Sequence, residues 1–347
     1  MIETKALASS GIAVLSRCLN SLDWKGEVVK PTMLANGADD QHTGVEVSPM
    51  NSRRRQSGLN GTIKENLTAY AFLLLPMAVL TIFFFYPLLD TFHLSLTQFR
   101  GFGPRVFVGL NNYRKLAADP TFKLALKNTV TYAVIVVFGL VTFPLFLAIL
   151  TNSRVQGTAA FRAMYYVPSI TSMVIVGITF TMLYNQRGLL NYGLSLVGLS
   201  NFQPAWLANP DLALLAIMFV TIWHAAGYYM MIYFTGLKGL PSEVYEAALI
   251  DGATRWQCIR YLTIPLMRPY VTLVTVTAII AAMKVFVEVK VMTGGGPAGA
   301  TQVMNLYTYD NAFAYLKMGY AAAIGVILLL FILALSMLSL RILERNV

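Results

Sequence analysis

Lys284 and Glu288 stand four residues apart inside 269–292, a largely apolar run long enough to cross a bilayer. A charge in such a place costs about 2.5–3.5 kcal/mol even on the lenient insertion scale, so charged residues there are functional by default. Spacing of four places both on one face of a helix, where a cation and a carboxylate can pair. At about 1.5 Å per residue, Lys284 falls roughly 22 Å along a helix that starts at Pro269. The pair would offer a donor and an acceptor to a polyhydroxylated solute. The alternatives are a structural ion pair and snorkelling to the interface. Lys290, two residues beyond Glu288, falls on another face and is expected to snorkel.

A second group lies within 212–237: Trp223, His224, Gly227, Tyr228, Tyr229 and Tyr233. Aromatic planes stack on the apolar face of a ring-shaped solute, and Tyr hydroxyls bond its edge. Tyr229 and Tyr233 share a helix face, and Gly227 leaves room for close approach. For each aromatic, plain packing or a place in an interfacial belt is the competing reading. His224 is a proton relay or, more simply, a hydrogen-bonded packing residue. No residues have the spacing of a catalytic or metal site. There is no phosphate-binding Gly-Lys-Ser/Thr loop, and Gly294-Gly295-Gly296-Pro297 reads as a turn that ends a helix. The chain is therefore read as a non-enzyme with no cofactor of its own.

These residues need an apolar scaffold, and composition supplies it. Of 347 residues, 56% are hydrophobic and 12% charged, against about 25% charged in soluble domains. A bilayer core takes roughly 20 apolar residues per helix. Six runs qualify: 67–89, 129–150, 163–184, 212–237, 269–292 and 318–340. Backbone amides in lipid must be paired internally, so all six are expected as helices, kinked or ended near Pro76, Pro144 and Pro168. The expected fold is all-α and membrane-integral. The net charge of +10 resides on Lys and Arg flanking these runs. They form no separate basic domain, which excludes nucleic acid and points to lipid. With the N-terminus inside, flanking Lys and Arg number twelve inside and nine outside, a narrow margin under the positive-inside rule. The first outer loop causes it. Residues 1–66 are polar and aperiodic, and are expected to be a disordered cytoplasmic tail. Met50 is a candidate alternative start. Cys18 and Cys258 are read as free thiols.

Between the fourth and fifth runs, 238–268 is amphipathic. Ser242 can cap a helix with Glu243 in its first turn. Val244, Ala247, Ala248 and Leu249 supply an apolar face. Gly252 permits a left-handed turn, and a second helix is expected from about Thr254 to just before Pro265. The result is a helix–turn–helix at the membrane face, with an ordinary interfacial amphipathic turn as the plain alternative.

Glu246-Ala247-Ala248, Gly252 and Leu262-Thr263-Ile264-Pro265 resemble the EAA loop of binding-protein-dependent ABC importer permeases, with Leu and Ile exchanged near the end. Phe107–Tyr113, Val167-Pro168-Ser169, Gly188–Asn191, Met283–Phe286, Val291–Pro297 and Gly319–Ala323 resemble the sugar branch of that family, the maltose and glycerol-phosphate importer type. The resemblance covers roughly 67–347. An acid common just after the Phe286 position is Val287 here, with Glu288 one further on. The resemblance implies that the loop is cytoplasmic and couples to an ATPase through Glu246, Ala247, Ala248, Asp251, Gly252 and Pro265. It also implies that Trp223, Gly227, Tyr229, Tyr233, Lys284 and Glu288 line a substrate pathway. Implied partners are a second, homologous permease, two ABC ATPase subunits that bind ATP and Mg, and an extracytoplasmic solute-binding protein. The solute would be a carbohydrate or related polyol. The rival from another class is an ion-coupled secondary transporter, for which Lys284, Glu288 and His224 could serve. It predicts inverted repeats, which the sequence does not display.

Overall fold

The computed structural model describes residues 70, 72–152, 157–199 and 202–344. The expected tail 1–66, with Cys18 and Met50, lies outside them. Helix α1, Phe72–Ser95, is apolar and long enough to span a bilayer. It contains one π turn, Thr81–Phe85. It continues six residues past the expected end at Leu89, because a helix needs only backbone pairing and does not stop at the first charge, Asp90.

From Thr91 onward the described chain forms one compact unit. Strands β1, Thr97–Gln98, and β2, Val106–Phe107, make a short antiparallel hairpin with Thr97 opposite Phe107. Helix α2, Asn111–Ala118, fastens it. The Asn112 amide donates to the Ser95 and Thr97 carbonyls at 2.8 and 2.9 Å, and the Tyr113 hydroxyl lies 2.7 Å from Ser95 Oγ. Helix α3, Pro120–Thr151, begins nine residues before the expected span. Asp119 caps it by accepting from the Thr121 and Phe122 N–H groups. Pro144 lies inside it without ending it. Then come α4 Thr158–Ile170, α5 Met173–Leu183, α6 Leu189–Leu196 and α7 Pro210–Lys238. The turn helices are α8 Ser242–Ile250 and α9 Arg255–Leu266. They are followed by α10 Arg268–Met283, α11 Val287–Met292, α12 Met304–Tyr309 with a π turn at Asp310–Ala314, and α13 Met318–Glu344.

Four described helices are long and apolar enough to cross a membrane, or up to six spans if each of two bent pairs counts as one. The core lies among α3, α7, α10 and α13, with Tyr132, Ile217, Met230, Val274 and Ile324 fully buried. Three expectations change. The run 163–184 is not one helix: α4 and α5 meet at 96°, with Thr171 and Ser172 extended between them. The run 269–292 is interrupted after Met283. Lys284 leaves the helix, Phe286 has φ −152°, and α11 resumes at Val287. Finally, α9 passes through Pro265 instead of ending before it, and bends 62° into α10. Proline has no N–H to return to the Tyr261 carbonyl. The π turn Ile259–Thr263 takes up the slack, with the Ile264 N–H bonding five residues back to Ile259.

Candidate functional site

The α8–α9 turn is built by local chemistry. Ser242 opens α8 without a side-chain cap, and Pro241 holds the N-cap position. Asp251 ends the helix, and Gly252 follows at φ +79°, a conformation that costs a side-chain-bearing residue energy. Thr254 and Gln257 then form a reciprocal capping box that starts α9. Glu246, Ala247, Asp251 and Gly252 are exposed; Ala248 and Pro265 are half-buried. Tyr245 is the anchor. It is 2% exposed, and its hydroxyl lies 3.0 Å from Thr263 Oγ1 on α9. Burial pushes its phenol pKa up. Sequence reading missed Tyr245, although it shares a face with half-buried Ala248. The expected apolar face of α8 is inverted in part: Val244 and Leu249 are exposed, and so are Ile250 at 86% and Trp256 at 69%. Large apolar side chains this exposed mark a surface made to be covered.

Tyr245→Phe should cost the turn about 1 kcal/mol. Amides of 242–263 should then exchange hydrogen about fivefold faster. Unchanged exchange would show that the ring alone holds the turn.

The interior site forms where both interruptions reach α7. The bend between α4 and α5 frees backbone carbonyls, and His224 of α7 answers one, with Nε2 3.0 Å from the Thr171 oxygen. Beside it, Ser169 Oγ donates to the His224 carbonyl at 2.6 Å and accepts from the Tyr228 N–H at 3.2 Å. The hydroxyl thus bridges the carbonyl and the amide that α7 pairs in its own i to i+4 ladder. The other interruption delivers Glu288 within electrostatic reach of His224 and of Tyr132. The Tyr132 hydroxyl is 2.7 Å from Thr221 Oγ1. Trp223, 38% exposed, packs against Phe180 in a tilted arrangement, 5.2 Å between centroids and 58° between planes. Irregular backbone is tolerated at membrane depth where protein buries it or where it lines a cavity. Here two interruptions, a carboxylate, hydroxyls and aromatic planes converge.

The candidate pathway residues separate accordingly. Trp223 and Glu288 belong to this site. Lys284 does not join Glu288: it lies at the interruption, exposed, and no ion pair among the described residues links them. The expected shared face required a continuous helix. Tyr229 and Tyr233 are core residues, 4% and 0% exposed, packed rather than facing an opening. The room left by Gly227 is filled by protein, since a Cβ there would lie 2.1 Å from the Tyr165 carbonyl oxygen of α4. Lys290, expected to reach for the interface, has a partner within the fold. It pairs with Asp310 at 3.7 Å and stands over the Tyr309 ring at 4.8 Å. Ser169 enters the sequence reading only as part of a motif; its bridging of two backbone groups on α7 has no sequence signal.

The family model described as "Binding-protein-dependent transport system inner membrane component" matches residues 141–347. The probable ABC transporter permease protein YurN of Bacillus subtilis is 35% identical over 80% of this chain and 96% of its own length. The lactose transport system permease protein LacF of Rhizobium radiobacter is 32% identical over 79% of this chain and 93% of its own. A bacterial alginate ABC transporter, solved in complex with an alginate pentasaccharide-bound periplasmic protein, has a similar fold. Its TM-score is 0.73 and its identity 24%, covering 83% of this chain and 98% of that one. By the family model and these relatives, the chain belongs to the inner-membrane permease components of binding-protein-dependent ABC transporters.

Proposed function

We propose that this chain is the permease subunit through which an ATP-driven importer passes a carbohydrate across the bacterial inner membrane. The observation that carries the coupling half is the α8–α9 turn, which presents Glu246 beside uncovered Ile250 and Trp256. Such a surface suits the groove of an ATPase subunit, with Glu246 meeting a cation there. ATP and Mg²⁺ belong to that subunit. The assembly in this reading has a second, related permease, two ATPase subunits and an extracytoplasmic solute-binding protein, with the turn and both termini in the cytoplasm. The lactose permease among the relatives and the periplasmic protein seen with the alginate transporter support the solute class and the delivery partner. Closure of the ATPase pair moves the turn. The bends at Thr171–Ser172 and Met267 let spans tilt without unpairing whole helices, and solute passes by Glu288 and Trp223.

Glu246→Lys tests this. Tagged wild-type chain should recover a P-loop ATPase and a second permease from mild detergent. The variant should lose the ATPase and at least tenfold of uptake, since reversing one charge of a desolvated pair costs 2–5 kcal/mol. Full uptake with the ATPase still bound would sink the coupling role.

A further inference from the structure

The narrow margin of the positive-inside count has a structural counterpart. Beside the outer ends of two spans lies a cavity of 1070 Å³ lined by Arg100, Lys115 and Lys317. Lys317 directly precedes α13, so this wall of the cavity borders the end of an apolar span, where a bilayer gives way to its headgroups. Among the described residues no carboxylate forms an ion pair with any of the three cations, and all three side chains are exposed. The one carboxylate in the wall, Asp119, is already engaged. It accepts from the Tyr307 and Tyr320 hydroxyls and from two backbone N–H groups. Phe99 and Tyr315 add apolar wall, which suits the glycerol and upper acyl carbons of a lipid. Three cations against one carboxylate, in a concave and partly apolar recess beside the end of a span, match a phosphodiester better than they match a flat protein face.

We propose that this cavity binds the headgroup of an anionic phospholipid, with Arg100, Lys115 and Lys317 holding the phosphate. A basic residue beside an anionic membrane contributes ~1 kcal/mol, and the same attraction should act here. The site stands apart from the transport reading, because it needs only a membrane and not a particular solute.

The test uses the full chain with its co-purifying subunits, in nanodiscs of phosphatidylcholine alone or of phosphatidylcholine and phosphatidylglycerol in equal parts. Retained phosphatidylglycerol is counted by native mass spectrometry after detergent exchange. Each of Arg100→Gln, Lys115→Gln and Lys317→Gln should weaken retention about fivefold, the factor equivalent to that ~1 kcal/mol. All three sites are exposed, so folding should survive. Arg114→Gln, on the same helix as Lys115 but outside the cavity wall, should change nothing. Equal retention in the triple variant, or equal loss in Arg114→Gln, would overturn the proposal. If glycerol phosphate bound the detergent-solubilised complex through these cations while no lipid was retained, the site would be one for a free anion, and the lipid assignment would fall. Loss of affinity for the solute-binding protein with lipid retention unchanged would make it a protein docking site instead.

Discussion

Gly227→Ala is expected to abolish uptake and to destabilise the chain by about 3–5 kcal/mol. The added Cβ would stand 2.1 Å from the Tyr165 carbonyl oxygen and 2.7 Å from the Tyr166 Cα. Both are backbone atoms, so no rotamer relieves the clash and α4 must move away from α7. That movement draws Ser169 Oγ from both of its partners on α7. The sign of the effect is diagnostic. At an open helical position the same change removes backbone entropy from the unfolded chain and stabilises by ~1 kcal/mol. Gly193→Ala in α6, where nothing lies within 4 Å of the new atom, supplies that comparison. Thermal unfolding of both variants in one detergent decides it, and a Gly227→Ala chain as stable as wild type would remove the close approach from the account.

Asp119→Ala should cost about 4 kcal/mol near neutral pH. Asp119 Oδ2 accepts from the Tyr307 and Tyr320 hydroxyls at 2.6 and 2.5 Å, tying α12 and α13 to the start of α3, which Oδ1 caps. Burial alone would raise the carboxyl pKa. The two phenols and two backbone donors outweigh it, and the net value falls below the ordinary 3.8. A carboxyl with a depressed folded pKa contributes stability that is complete above its unfolded value and lost as pH falls through the folded one. The gap between wild type and Asp119→Ala should therefore hold from neutrality down to about pH 4 and narrow below it. On the alkaline side burial, helped by the bond to Asp119, pushes the Tyr307 phenol up to about 12. Its contribution is present below the ordinary phenol value of 10.0 and lost as pH rises toward 12. A gap that stayed constant through the acid range would show that the contribution of Asp119 does not depend on its charge.

What could be read in advance depended on the range of the forces involved. Uncharged runs identify spans because lipid tolerates little else, and 212–237 needed only one or two residues of adjustment at either end to become α7. The α8–α9 turn was legible because its signals are local: Gly252 at positive φ and Thr254 three residues before Gln257. The interruptions were legible only in part. Pro168 announced a kink or an end, and α4 stops two residues after it at Ile170, but nothing local specifies a bend of 96°. The break is sustained by His224, fifty-three residues away in sequence. Lys284 and Glu288 show the same limit from the other side. A spacing of four is informative only while the helix is unbroken between them, and nothing local announces that it ends at Met283. Tyr229, Tyr233 and Gly227 fit both a solute-facing and a packed reading by residue type. Only the arrival of α4 and the core against α7 separates the two.

The Ser169 hydroxyl gives α7 a property that no residue of α7 confers on it. A bare helix bent at 224–228 would present an unpaired carbonyl and an unpaired amide to a solvent that cannot receive them. With one foreign oxygen within reach of both groups, each would keep a partner if the ladder lengthened there, much as a washer lets a bolt turn without baring its thread. That spare partner is available only while α4 and α7 travel together. Ser169→Ala would leave the two helices in contact and remove it.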